Sequence, residues 1–136
     1  MKIGVIVQAR MSSTRLPGKV LLNLCGKAVL ETLLAQVKKA ETIDEIIVAT
    51  SVNPEDKPIM QLAEKLKVKW YAGSLDDVLD RYYQAAKQNH LDVIVRVTGD
   101  CPFIDPHVID LVVSKFLDSN ADYASNVDPQ TYTDGL

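Results

Sequence analysis

The sequence predicts a three-layer α/β/α domain on a mainly parallel sheet. Two observations carry this. Short strand-like runs, Ile3–Val7, Glu45–Ala49, Val68–Tyr71 and Asp92–Val97, alternate with longer segments whose apolar residues recur at helical spacing. The first run, Ile3-Gly4-Val5-Ile6-Val7, is β-branched and does not alternate apolar with polar, as in a strand covered on both faces. Repeated strand–helix–strand units give parallel pairing with helices over both faces.

The elements follow in order. Pro17-Gly18 marks a turn after the first strand. A helix is expected near Ala28–Ala40, with Val29, Leu30, Leu33, Leu34 and Val37 on one face. After the Glu45–Ala49 strand, Asn53-Pro54-Glu55-Asp56 supplies an N-cap, a proline at the first helical position and acids in the first turn. Ile59, Leu62, Ala63 and Leu66 give that helix its face. Ser74 and Asp77 resemble a capping box opening a helix from Leu75 to about Asn89, which should bury Val78, Leu79, Tyr82, Tyr83 and Ala86. Asp105-Pro106 opens a last helix, with Val108, Ile109, Val112, Val113, Phe116 and Leu117 as its face. Ala121–Ala124 reads as a fifth strand, and from Ser125 onward the pattern fades.

Length and composition bound the function. With 136 residues, positions 1–136 read as a single α/β domain with one core. A hydrophobic content of 47% and a charged content of 24% are ordinary for a soluble globular chain. A net charge of -3 argues against nucleic acid or a membrane surface as the main partner. No apolar run approaches a membrane span, and the N-terminus lacks a signal-peptide pattern, so the expected location is cytoplasmic. Cys25 and Cys101 are too few for a disulfide framework and are expected to be reduced. His90 and His107 fall at predicted helix ends, without zinc spacing.

Against this acidic background, the stretch Gln8–Lys19 stands out. It holds Arg10, Arg15 and Lys19 with Ser12, Ser13 and Thr14, and no acid occurs from residue 1 to residue 30. It also follows the first strand, and ligands of open α/β sheets bind at the C-terminal strand ends. Arginine forks, a lysine and hydroxyl donors there suit a polyphosphate. The stretch is not a Walker A loop, because Ser13 and Val20 stand where that motif requires Gly and Ser or Thr. No G-x-G-x-x-G occurs either. A second candidate is Thr98-Gly99-Asp100, at the end of the fourth strand. If the sheet is parallel, Asp100 faces the same crevice as the cations. A carboxylate there fits magnesium, which is commonly held by one or two carboxylates plus substrate phosphates.

The pattern A-R-x-x-S-x-R-L-P-G-K after an N-terminal strand resembles the signature of sugar-nucleotide cytidylyltransferases. These include the CMP-Kdo and CMP-sialic acid synthetases and, most similar, the spore coat polysaccharide biosynthesis cytidylyltransferase-like proteins. Ile46–Thr50, Gly73–Tyr82 and Arg96–Pro102 extend the resemblance over nearly the whole chain. It implies a truncated form of the nucleotide-diphospho-sugar transferase (Rossmann-like) fold. The family continues through later strands and helices that hold the sugar site, so residues 1–136 are expected to be the N-terminal part of a longer transferase. Relatives are commonly dimers, so a homodimer is a possible assembly.

The resemblance also implies roles. Arg10, Arg15 and Lys19 are the expected catalytic cations. Ala9, Arg10, Ser13, Thr14, Arg15, Lys19, Thr98, Gly99 and Arg81 are the expected nucleotide contacts, and Asp100 the metal ligand for Mg2+. Arg81 has a second reading as a helix-surface pair with Asp77. Arg96, in a predicted central strand, is expected to pair with a buried carboxylate. Two departures bear on specificity. Thr98 stands where CMP-Kdo synthetases commonly carry a cytosine-reading Gln, and Cys101 where an acid is frequent. The expected activity is transfer of a cytidylyl group from CTP to a sugar, acidic by the resemblance, with pyrophosphate release. A glycosyltransferase of the same fold is the alternative, although no D-x-D triplet occurs. A non-catalytic nucleotide-binding subunit is another.

Overall fold

The first apolar run becomes β1 (Ile3–Gln8), inside the sheet with a strand on each side. A computed structural model describes residues 1–136. After β1 come a two-stranded hairpin, β2 (Asn23–Leu24) with β3 (Lys27–Ala28), then α1 (Val29–Val37), β4 (Glu45–Ser51), α2 (Lys57–Lys65), β5 (Lys69–Gly73), α3 (Val78–Gln88), β6 (Val93–Thr98) and α4 (Pro106–Leu117). The main sheet has the order β5-β4-β1-β6, and all three pairings are parallel.

Side-chain alternation along the strands makes the three layers. Val5, Val7, Val48 and Val97 join Leu30, Leu33 and Leu34 of α1, Ile59 and Ala63 of α2, and Ile109 and Val113 of α4 in one cluster. Ile6, Ile47 and Ala49 project the other way, onto Tyr82, Ala85 and Ala86 of α3. β1 is therefore covered on both sides, which is why its sequence does not alternate.

At the N-terminal end of the sheet, charges are matched. Glu45 pairs with Lys2 at 2.8 Å and also with Lys69. The Asp44 carboxylate accepts the Ile3 N–H at 2.8 Å, and Asp92 accepts that of Lys2 at 2.6 Å. Asp110 of α4 accepts the N–H groups of Glu41 and Thr42, tying α4 to the loop before β4.

Several expectations are corrected. No strand forms at Ala121–Ala124; those residues lie mostly exposed beyond α4. α1 ends at Val37, short of Ala40. α3 starts at Val78, not Leu75. Ser74 Oγ accepts the Asp77 N–H at 3.1 Å, and Asp77 then caps the helix by accepting from Asp80 N–H at 2.9 Å. Leu79 and Tyr83 are exposed at 81% and 55%, because the buried face of α3 is narrower than expected and is made by Arg81, Tyr82, Ala85 and Ala86. Leu117, at the end of α4, is also exposed. Asn53 makes no side-chain cap; a 3-10 turn over Pro54–Asp56 precedes α2. The β2–β3 hairpin, at Cys25-Gly26 with both residues at positive φ, had no expectation.

Candidate functional site

From β1 the chain builds outward through β4 to β5, then crosses back to place β6 on the other flank of β1. The direction of winding reverses between β1 and β6. In open parallel sheets the crevice beyond the C-terminal strand ends at such a reversal is the ligand site. β1 and β6 run in register to Gln8 opposite Thr98, so Ala9-Arg10 and Gly99-Asp100 leave the sheet side by side. Gly99 allows this closeness: its N–H donates to Gln8 O at 2.7 Å, and a Cβ there would lie 2.8 Å from that oxygen and 3.0 Å from Ala9 Cβ.

A groove of about 290 Å³ opens at this point. Its walls are Gln8, Ala9, Arg10, Ser12, Ser13, Thr14, Arg15, Lys19 and Val20 on one side and Thr98, Gly99 and Asp100 on the other. Every site residue expected from the sequence is in this wall except Arg81. The loop is closed at its root by Gly18 N–H donating to Met11 O at 2.7 Å. Gly18 has φ 71°, in the left-handed region that a side chain disfavours. Ser13 Oγ accepts the Leu16 N–H at 3.3 Å, steadying the turn.

Lys19 Nζ lies 2.7 Å from Asp100 Oδ2, with the two side chains 35% and 36% exposed. The Lys19 hydrogen bond holds the Asp100 carboxyl below the usual carboxylate range, outweighing partial burial. Arg10 and Arg15 have no acidic partner within 4.0 Å. The groove therefore presents two unpaired guanidinium groups, hydroxyls and a lysine–aspartate pair, a donor-rich surface suited to phosphate oxygens. No group of three or more His, Cys, Asp or Glu side chains gathers in the chain. A metal at Asp100 would thus have one protein carboxylate and would draw its other ligands from water and substrate phosphates. Magnesium fits that donor set.

Other placements differ from expectation. Arg81 is wholly buried at 0% exposure and makes no ion pair with Asp77. Its Nη1 donates to Ser74 O at 3.3 Å, while Nε and Nη2 have no partner. Burial pushes its guanidinium below the ordinary value, and nearby Arg10 acts in the same direction. Arg96 pairs with no carboxylate. β6 is an edge strand here, and the Arg96 guanidinium lies over the Tyr82 ring at 5.3 Å. Cys25 and Cys101 are free thiols. Sequence reasoning missed Asp56. An acid in a helix's first turn is ordinary, and only coordinates reveal that this one is at 0% exposure with Met11 N–H donating to it at 2.7 Å.

Residues 4–133 match the cytidylyltransferase family. The chain belongs to that family. It is 36% identical to the spore coat polysaccharide biosynthesis protein SpsF of Bacillus subtilis over 122 residues, covering 87% of this chain and 51% of the relative. Among solved structures it resembles a cytidylyltransferase from Leptospira borgpetersenii, with 40% identity, a TM-score of 0.84, and coverage of 89% of this chain and 51% of that one. It also resembles a CMP:2-keto-3-deoxy-manno-octonic acid synthetase complexed with CTP, with 25% identity, a TM-score of 0.79, and coverage of 89% and 49%. The chain spans about half the length of the curated relatives it matches. No helix is long and apolar enough to cross a membrane.

Proposed function

We propose that this chain is the nucleotide-binding part of a CTP:sugar cytidylyltransferase acting in polysaccharide or cell-surface glycan synthesis. The observation that carries the reading is the convergence of the Arg10–Lys19 loop and Asp100 on one groove at the β1–β6 reversal. Family membership supports it, as does likeness to a synthetase solved with CTP. An acidic acceptor is favoured because several relatives are 3-deoxy-manno-octulosonate cytidylyltransferases.

In this reading the acceptor hydroxyl oxygen attacks the α-phosphorus in line. A new P–O bond forms as the bond to the bridging α–β oxygen breaks, pyrophosphate leaves, and the hydroxyl proton passes to solvent. Arg10 and Arg15 neutralise charge on the triphosphate and the leaving group, and Lys19 turns from Asp100 to a phosphate oxygen. Ser13 and Thr14 donate hydroxyl hydrogen bonds, while Ala9, Thr98 and Gly99 form the floor. Magnesium, held by Asp100, would screen the phosphate charge. Positioning and electrostatics supply the rate, as in other phosphoryl transfers. Arg81 is buried and does not line the groove, so it has no direct nucleotide contact in this reading.

Calorimetric titration with each of the four nucleoside triphosphates, with and without magnesium, tests this. CTP should bind in the micromolar-to-millimolar range, and Lys19→Ala and Asp100→Ala should each weaken it by about tenfold or more. Unchanged CTP affinity in both variants would remove the assignment.

A further inference from the structure

We propose that Asp56 is a positioning residue for the triphosphate, gripping the root of the Arg10–Lys19 loop through the Met11 amide. The inference rests on reading that loop as a triphosphate cradle. Asp56 stands at the N-terminus of α2 yet makes no side-chain bond to that helix. Its carboxylate turns away, toward the segment leaving β1. One oxygen accepts the Met11 N–H at 2.7 Å, and the other accepts the Ser51 hydroxyl. Ser51 Oγ in turn accepts the Asn53 N–H at 3.2 Å, holding the strand end and the turn together.

A carboxylate at 0% exposure is costly to keep unless bonds compensate it. Here both bonds lead out of its own element, to the loop after β1 and to the end of β4. Met11 is the residue whose carbonyl accepts the Gly18 N–H, so what Asp56 grips is the closure of the loop. Lys19 follows Gly18 and reaches Asp100. The sequence of contacts thus runs from a buried carboxylate to the lysine in the groove. Arg81, also buried, makes no ion pair with the carboxylate, though its positive charge favours the ionised form. Without Asp56, the Met11 N–H and the Ser51 hydroxyl lose their acceptor in a buried place. The loop root is then free to shift, and its donors must be ordered at the moment of binding. The loss should fall on the phosphates beyond the first, not on the nucleoside.

The test compares CTP with CMP, each with magnesium, by calorimetry on wild type, Asp56→Ala, Asp56→Asn and Lys19→Ala. Hydrogen exchange at the Met11 amide is read alongside. Asp56→Ala should weaken CTP by about tenfold and CMP by less than about threefold, and should expose the Met11 amide to exchange. Asp56→Asn keeps an oxygen for that amide, so it should stay within about threefold of wild type for both ligands. Equal losses for CTP and CMP, or wild-type CTP binding in Asp56→Ala, would overturn the proposal. If Asp56→Ala does not fold, Ser51→Ala decides: it removes the bond that orients the carboxylate, so Met11 exchange should quicken and CTP should weaken more than CMP, and unchanged exchange with unchanged CTP binding overturns the proposal. The underlying reading is judged separately. A wild type that does not prefer CTP to CMP, or Lys19→Ala that keeps the preference, sinks the triphosphate cradle and this inference with it.

Discussion

At the N-terminal end of the sheet, Glu45 lies against both Lys2 and Lys69, and Asp44 and Asp92 accept backbone N–H groups of β1 and its lead-in residue. At the C-terminal end, thirty residues without an acid deliver Arg10 and Arg15 to a groove where no carboxylate meets them. Both ends use the same side-chain chemistry. The first closes its charges on one another and on the backbone, so its electrostatics serve the folded state. The second leaves two cations open, so part of its electrostatics is available to a ligand.

If that division is right, substitutions at the two ends should move different observables. The largest effect is expected for Arg10→Ala combined with Arg15→Ala. CTP affinity should fall by about a hundredfold or more, since each charge-assisted contact is worth about 1.5–3 kcal/mol, while the thermal midpoint stays the same or rises. A clear loss of stability would show that these cations are structural. Gly99→Ala should strike both observables. Its Cβ would meet Gln8 O at 2.8 Å, and overpacking of this kind costs about 1–3 kcal/mol and forces the ends of β1 and β6 apart. Denaturant unfolding and CTP titration of the same variant check this. Glu45→Gln should be the mildest, costing about 1 kcal/mol or less and leaving CTP binding alone.

The same variant carries a pH signature. Burial opposes ionisation of Glu45, but hydrogen bonds from Lys2 and Lys69 outweigh it and hold its carboxyl below the ordinary value. Its contribution is therefore complete above the unfolded glutamate value, about 4.3, and is lost as the pH falls through the lower folded value. Unfolding curves from pH 6 downward should show a shallower acid loss in Glu45→Gln than in wild type. An identical slope would mean that the ion pairs contribute nothing.

The sheet was legible because each strand is a compact run between turn signals, and the first loop because its lack of acid is visible without coordinates. Other features depend on what lies across space. The helical period of α3 is legible, but its start depends on whether Ser74 or Asp77 takes the cap, and the width of its buried face depends on what packs against it, which leaves Leu79 and Tyr83 at the surface. The run holding Arg96 reads as a central strand. Strand order places it at an edge, and no local pattern encodes strand order. Asp56 looks like any first-turn acid until Met11 is found 2.7 Å away, forty-five residues earlier in the chain. Ala121–Ala124 has a short apolar character but no neighbouring strand to pair with.

The contact between Lys19 and Asp100 has a consequence for the order of loading. At rest the groove holds three cations and one anion, so only two positive charges are uncompensated. A divalent ion that takes both oxygens of Asp100 would displace the ammonium, and a polyphosphate that takes Lys19 would leave the carboxylate bare. Either newcomer alone pays for breaking the pair; together each supplies what the other displaces. Metal and nucleotide should therefore enter cooperatively, and free metal should find the groove closed by its own lysine.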